Sequence, residues 1–194
     1  MTVQERLAAL RSLMKEKHVD AYLVPTDDFH GSEYVGDYFK CRKYITGFTG
    51  SAGTAVITSD MAGLWTDGRY FIQAAQQLEG TTVTLFKMGE PKVPTVHEFL
   101  KDKLTEGMCL GFDGRCVSAA EAEELKSLLA DKNISFSVED DLIGEIWKNR
   151  PELSCEPVME LEEKWAGKSR ADKCAQIRDK MAEKGADAFI LTSL

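Results

Sequence analysis

The sequence has no long apolar run and no excess of positive charge. Its longest stretch without a charged side chain, residues 44–59, is interrupted by glycine and hydroxyl residues, and it falls short of the ~20 apolar residues that a membrane-spanning helix needs. The 24 lysines and arginines are outnumbered by 32 aspartates and glutamates, which leaves a net charge of −8. Because an acidic surface repels phosphate backbones and anionic lipids, we expect neither nucleic acid nor membrane as a partner.

Cysteine and histidine are too scattered to form a recognisable cluster. The chain has five cysteines and three histidines but no Cys-x-x-Cys pair, and Lys101 stands where a second histidine would follow His97 at helical spacing. The N-terminus is charged and lacks the apolar centre of a signal peptide. We therefore expect reduced thiols, a cytoplasmic location, and neither a metal ligand nor a cofactor within this chain.

Length and composition indicate a globular protein of one domain and part of another. The 194 residues are 43% hydrophobic and 29% charged, which is enough apolar material for a core. A typical domain has about 100–150 residues, so the chain is too long for one domain and short for two.

The periodicity predicts helices that alternate with strands. The spacing of a capping box occurs three times, in the pairs Thr2/Glu5, Thr95/Glu98 and Ser118/Glu121. The first of these begins a helix whose apolar face runs from Val3 to Met14. Further helices are predicted over residues 68–78 and 139–147, and strands over 20–25, 54–58, 63–66, 82–87, 109–113 and 134–138. The alternation indicates an α/β fold with a mixed β-sheet flanked by helices, since the hairpin 54–66 adds an antiparallel pair.

An internal repeat points to a second, similar domain. Residues 10–24 align without a gap on residues 177–191, with Arg, Met, Glu, Lys, Asp and Ala at the same places. The alternative is that any helix followed by a strand gives such a match. Two prolines, Pro151 and Pro157, separate the copies. We predict a first domain over residues 1–150, a linker over 151–167, and the first helix and strand of a second domain, cut short at Leu194, over 168–194.

Two loops are candidates for binding sites. Residues 47–53 are rich in glycine, but they precede a strand, whereas phosphate-binding glycine motifs open a helix, so we interpret them as a tight structural loop. Residues 27–30, Asp-Asp-Phe-His, follow the first strand, where α/β sheets often carry functional groups. His30 therefore lies either in a solvated loop or at a contact to substrate or to another domain.

The densest functional pattern is Trp-Thr-Asp-Gly-Arg-Tyr-Phe, residues 65–71, at a strand-to-helix junction. Asp67 is suited to cap the helix, whereas Arg69 places positive charge near the positive end of the helix dipole. Arg69 therefore calls for a carboxylate, either an internal one or one from another domain or a substrate. The candidates for a substrate-facing or interdomain surface are His30, Asp67, Arg69 and Tyr70.

Several of these motifs together resemble a known family. Residues 47–55, followed at a short interval by residues 64–74, resemble the N-terminal domain of the three-domain Xaa-Pro aminopeptidases (aminopeptidase P), in the creatinase/prolidase superfamily of metallopeptidases. Ser-Glu-Tyr at 32–34, Ile-Trp-Lys-Asn-Arg-Pro at 146–151 and Trp-Ala-Gly-Lys-Ser at 165–169 extend the likeness over nearly the whole chain. Trp165 stands where the family leads us to expect tyrosine.

The resemblance implies two similar non-catalytic domains ahead of a C-terminal catalytic domain with a pita-bread fold. In that domain two divalent metal ions, usually manganese, would hydrolyse the bond between an N-terminal residue and a following proline. The implied metal ligands, Asp, Asp, His, Glu and Glu, would lie beyond Leu194, so no catalytic or metal-binding residue is assigned to this chain, and we expect the chain alone to be inactive.

The first domain would then limit access to short proline-containing peptides and contribute to dimerisation. Its implied partners are the C-terminal catalytic domain of the same chain and a second subunit. Two other hypotheses stay open: a free-standing module for binding or assembly, and a nucleotide-binding protein that uses the glycine loop.

Overall fold

The computed structural model describes residues 1–191, and the chain divides into two compact units, Met1–Leu153 and Ser154–Leu194. The first unit contains six strands: β1 (Ala21–Val24), β2 (Thr54–Thr58), β3 (Ala62–Thr66), β4 (Thr84–Lys87), β5 (Cys109–Gly111) and β6 (Ser135–Ser137). Its α-helices are α1 (Val3–Glu16), α2 (Cys41–Thr46), α3 (Phe71–Leu78), α4 (Val96–Lys103), α5 (Ala119–Leu128) and α6 (Leu142–Ile146). Short 3₁₀ turns occur at Asp37–Phe39, Gly68–Tyr70 and Ala130–Lys132.

The six strands form one mixed sheet in the order β4-β3-β2-β1-β5-β6. Strand β2 is antiparallel to both of its neighbours, and the β3–β4, β1–β5 and β5–β6 pairs are parallel. The predicted α/β class with a mixed sheet is therefore confirmed. Every strand except β2 points the same way, so the loops that follow these strands gather at one edge, here called the carboxyl edge.

Helices cover both faces of the sheet, and β1 is buried on both sides. Tyr22 and Val24 belong to one core cluster, with side chains of α1, α2, α3 and α6, whereas Ala21 and Leu23 belong to the other, with α4 and α5. This alternation follows from the two-residue period of a strand. Leu10 of α1 is fully buried, and the burial of one such side chain contributes about 1.5–3 kcal/mol.

Local signals explain where most helices begin. Thr2 and Thr95 each complete the predicted capping box with the glutamate three positions on. The helix predicted from residue 68 starts as a 3₁₀ turn and becomes α-helical at Phe71. The helix predicted from residue 139 begins only at Leu142, because the Asp141 carboxylate caps it by accepting from the Gly144 backbone N–H. Helix α2 was not predicted.

The second unit holds helices α7 (Glu163–Ala166) and α8 (Arg170–Lys184). Ser169 caps α8 at its start, and Gly185 ends it in the left-handed conformation, with φ 64°. The strand expected after this helix is not formed over residues 186–191, and residues 192–194 lie outside the described residues. A single strand has no neighbour to complete its backbone hydrogen bonds, which accounts for the difference. None of the helices in residues 1–191 is long and apolar enough to cross a membrane.

Candidate functional site

The sequence-predicted candidates lie on loops at the carboxyl edge of the sheet. The loop after β1 carries His30, and the loop after β3 carries Asp67, Arg69 and Tyr70. In open α/β sheets, ligands bind beyond the carboxyl ends of the strands, so the topology places these residues where a binding surface is expected.

Asp67 and Arg69 form a two-point ion pair at the end of β3. The guanidinium donates from Nε to Oδ1 and from Nη2 to Oδ2, each over 2.9 Å, and the backbone N–H of Arg69 donates to Oδ1 over 3.0 Å. The hydrogen bond from the Arg69 side chain lowers the pKa of Asp67. Of the two partners that the sequence left open for Arg69, the internal carboxylate is present, while the side chain stays 67% exposed.

Tyr70 connects the loop after β3 with the glycine loop, residues 47–53. Its hydroxyl lies 2.6 Å from Ser51 Oγ, and its ring meets Phe48 edge-on with 5.8 Å between centroids. A Cβ on Gly50 would come within 2.7 Å of the Tyr70 ring, so the close approach requires glycine there. Tyr70 is half-buried and has a structural role in addition to any contact beyond the domain.

A buried arginine organises the glycine loop. Arg42, only 4% exposed, donates to the Phe48 carbonyl over 3.1 Å, to the Gly50 carbonyl, and to the Thr26 hydroxyl. Burial lowers the pKa of this guanidinium to about 10. Because two carbonyls of the loop point at a cation, the loop does not present the cluster of N–H groups that a phosphate needs. This geometry supports the structural interpretation of residues 47–53.

His30 belongs to a tightly turned loop. Asp28 Oδ1 accepts hydrogen bonds from the backbone N–H of His30 over 2.8 Å and of Ser32 over 3.0 Å. His30 itself is exposed. The hydrogen bond with Asp67 is the main cause of the raised pKa of Arg69, and Glu33, in the loop of His30, adds a smaller electrostatic contribution. The structure thus places His30 on a neighbouring loop, while Asp67, Arg69 and Tyr70 form one cluster.

A second Asp-Gly-Arg sequence, which the sequence analysis missed, repeats this geometry after β5. Arg115 donates to both carboxylate oxygens of Asp113 over 2.9 Å, and its backbone N–H donates to Oδ1 over 3.1 Å. Its guanidinium lies 5.0 Å from the centre of the Phe29 ring, beside His30. The repeated tripeptide was the signal that could have revealed it. The carboxyl edge therefore carries two Asp-Gly-Arg ion pairs, and the second differs in that Arg115 also lies 3.4 Å from the Asp141 carboxylate.

Within residues 1–191, one group of side chains lies close enough together to hold a metal ion, although the sequence analysis expects no metal ligand in this chain. It consists of His97, Glu121 and Glu124, whose ligand atoms lie within 4.8 Å of one another. His97 and Glu121 also line a cavity of about 390 Å³ next to β1. Three ligands do not match the set of five that the family resemblance implies for a pair of metal ions, so no step of peptide hydrolysis is derived from them.

The described architecture is that of an open α/β domain with paired charges on its carboxyl-edge loops. A family model for the creatinase/prolidase N-terminal domain matches residues 6–142, and a second model with the same description matches residues 149–194. The chain belongs to the creatinase/prolidase N-terminal domain family.

Curated relatives match the chain over its full length. It is similar to Aminopeptidase P2 of Arabidopsis thaliana, with 41% identity over 199 residues, and to a probable Xaa-Pro aminopeptidase P of Sordaria macrospora, with 44% identity over 199 residues. Both alignments cover 100% of this chain but only 28% and 32% of those proteins. The chain thus spans less than a third of the relatives it matches.

Solved structures give the same assignment. An X-prolyl aminopeptidase from Caenorhabditis elegans, described as a cytosolic enzyme with a di-nuclear active site, has a TM-score of 0.85 and 36% identity, over 96% of this chain and 32% of that one. The N-terminal domain of the cytoplasmic peptidase PepQ from Mycobacterium tuberculosis has a TM-score of 0.53 and 26% identity, over 73% of this chain and 98% of that one.

Proposed function

We propose that this chain is the N-terminal part of a metal-dependent Xaa-Pro aminopeptidase, which releases the N-terminal residue from peptides with proline at position two. The observation that carries the proposal is the full-length match of the chain, at 41% and 44% identity, to 28% and 32% of the length of two aminopeptidases P, together with the match to models of an N-terminal domain. Two divalent metal ions, manganese by family resemblance, would act in a catalytic domain that follows the described residues. The chain alone is then inactive, and the complete enzyme works in the cytoplasm.

The carboxyl edge is the surface that we propose to face the catalytic domain, a second subunit or the peptide. The guanidinium of Arg69 is held in place by Asp67, which fixes its orientation without burying it. An exposed and oriented guanidinium is suited to a carboxylate, because it can offer two parallel N–H groups. A short peptide supplies such a group at its C-terminus, so Arg69 would help to select short proline-containing peptides.

The first experiment measures activity with and without the rest of the enzyme. The gene is read beyond codon 194, and the 194-residue chain and the complete protein are assayed with Xaa-Pro peptides in the presence of Mn²⁺. We expect hydrolysis by the complete protein alone. A reading frame that stops after Leu194 would favour the free-standing module instead, and hydrolysis by the 194-residue chain would contradict the proposal.

The second experiment tests the role of Arg69 in the complete enzyme. Arg69→Ala is compared with Arg115→Ala, which removes a two-point ion pair from the loop after β5 together with a 3.4 Å contact to Asp141. We expect Arg69→Ala to raise KM for short peptides, or to change the subunit assembly seen by light scattering, more than Arg115→Ala does. Unchanged kinetics and unchanged assembly in Arg69→Ala would remove Arg69 from this role.

A further inference from the structure

The imidazole of His97 faces a carboxylate at each of its two nitrogens. Nε2 lies 2.9 Å from Glu121 Oε1, and Nδ1 lies 3.3 Å from Glu124 Oε1. His97 is in the first turn of α4, and the two glutamates are three positions apart on α5, so they share one face of that helix. The imidazole is 26% exposed, and the two glutamates are 42% and 65% exposed.

The three side chains are of the kinds that bind transition-metal ions. The contact of Nε2 with Glu121 is a hydrogen bond, whereas Glu124 approaches Nδ1 at an ion-pair distance of 3.3 Å. A metal ion would bind one nitrogen of the imidazole together with one oxygen from each glutamate, and the other ring nitrogen would keep its N–H.

The Glu121 side chain gives a second indication. Ser118 Oγ accepts from the Glu121 backbone N–H over 3.1 Å, which is half of a capping box. In the corresponding boxes of α1 and α4, the glutamate carboxylate returns to the capping residue. The carboxylate of Glu121 lies beside His97 instead.

We propose that His97, Glu121 and Glu124 bind one divalent transition-metal ion, with Zn²⁺ as the best fit. Their ligand atoms lie within 4.8 Å of one another, which is close enough for side-chain rotations to bring them to one ion. One imidazole and two carboxylates suit Zn²⁺, whereas Ca²⁺ and Mg²⁺ prefer oxygen ligands throughout. Since His97 and Glu121 line the 390 Å³ cavity, water or a small ligand would complete the coordination. The ion would link α4 to α5.

The test is a titration of the purified 194-residue chain with ZnCl₂ by isothermal calorimetry, under reducing conditions. The variants are His97→Ala and the double variant Glu121→Gln/Glu124→Gln. The matched control is His18→Asn, because His18 is exposed, lies outside the cluster and has a positive φ of 56° that asparagine tolerates. Far-UV circular dichroism verifies that each variant is folded.

We expect one Zn²⁺ per chain in the wild type and in His18→Asn, and a loss of affinity of about tenfold or more in both cluster variants. Titration with Co²⁺ should give weak visible bands without the intense near-ultraviolet absorption of a cobalt–thiolate bond, because the five cysteines are not ligands. Equal affinity in the wild type and His97→Ala, a thiolate band, or no binding by the wild type would overturn the proposal. The last result would leave the cluster as an ion pair only.

Discussion

Replacement of Arg42 by methionine tests whether one buried cation holds the glycine loop in place. The change keeps much of the apolar stem but removes the donors to the buried carbonyls of Phe48 and Gly50. A buried polar group left without a partner costs about 1–3 kcal/mol, which gives about 2–6 kcal/mol for the two carbonyls. Because the variant also avoids the desolvation of the guanidinium, we expect a loss near the lower end, about 2–3 kcal/mol.

Urea unfolding measures this loss. The chain has three tryptophans, and a Trp165→Phe background leaves only Trp65 and Trp147, so that fluorescence reports on the first unit. Arg42→Lys keeps a charged donor but lacks the planar guanidinium, so it should be more stable than Arg42→Met and less stable than the wild type. Arg69→Ala should unfold near the wild-type urea midpoint, because the ion pair that it removes is exposed. A loss below about 1 kcal/mol in Arg42→Met would show that the loop carbonyls do not depend on the guanidinium.

Two further predictions concern titrating groups. Burial raises the pKa of Cys41 to about 12, whereas Cys174 is exposed. Iodoacetamide at pH 8 should therefore modify Cys174 much faster than Cys41 in the native chain, as followed by peptide mass spectrometry. Equal rates of modification would contradict the burial of Cys41. The hydrogen bond from the Thr95 backbone lowers the pKa of Glu98 in the folded state. The capping box therefore stabilises the fold at pH values above the unfolded-state pKa of glutamate, about 4.3. This contribution is lost as the pH falls through the lower folded-state pKa. The stability difference between wild type and Glu98→Gln should therefore shrink between pH 6 and pH 3 in urea titrations, and a constant difference would argue against it.

The elements that the sequence predicts best are those fixed by neighbours along the chain. The capping residues Thr2 and Thr95 need only a glutamate three positions on, and both boxes form as predicted. The hairpin of β2 and β3 likewise depends on a short turn between two apolar runs. The strand expected after α8 is not formed over residues 186–191, and residues 154–191 hold no other strand with which it could pair.

In the candidate site, contacts between near neighbours along the chain can be predicted from the sequence, whereas contacts between distant residues cannot. The ion pair of Asp67 with Arg69 spans two positions, and the sequence already required a carboxylate for that arginine. The contact of His97 with Glu121 spans 24 positions and depends on how α4 and α5 pack beside the sheet. A pattern search along the chain cannot find such a pair, because it has no fixed spacing.

The strand order also divides the predicted surface into two parts. Strand β2 lies between β1 and β3, whereas β5 is directly beside β1. The loop of His30 therefore has Arg115 as its neighbour, through Phe29. If a peptide or a second domain contacts the whole carboxyl edge, Arg69→Ala and Arg115→Ala should weaken it independently, and their effects in the double variant should add, as is usual for sites that share no partner. If the contact is confined to the β3 side, the double variant should behave like Arg69→Ala alone.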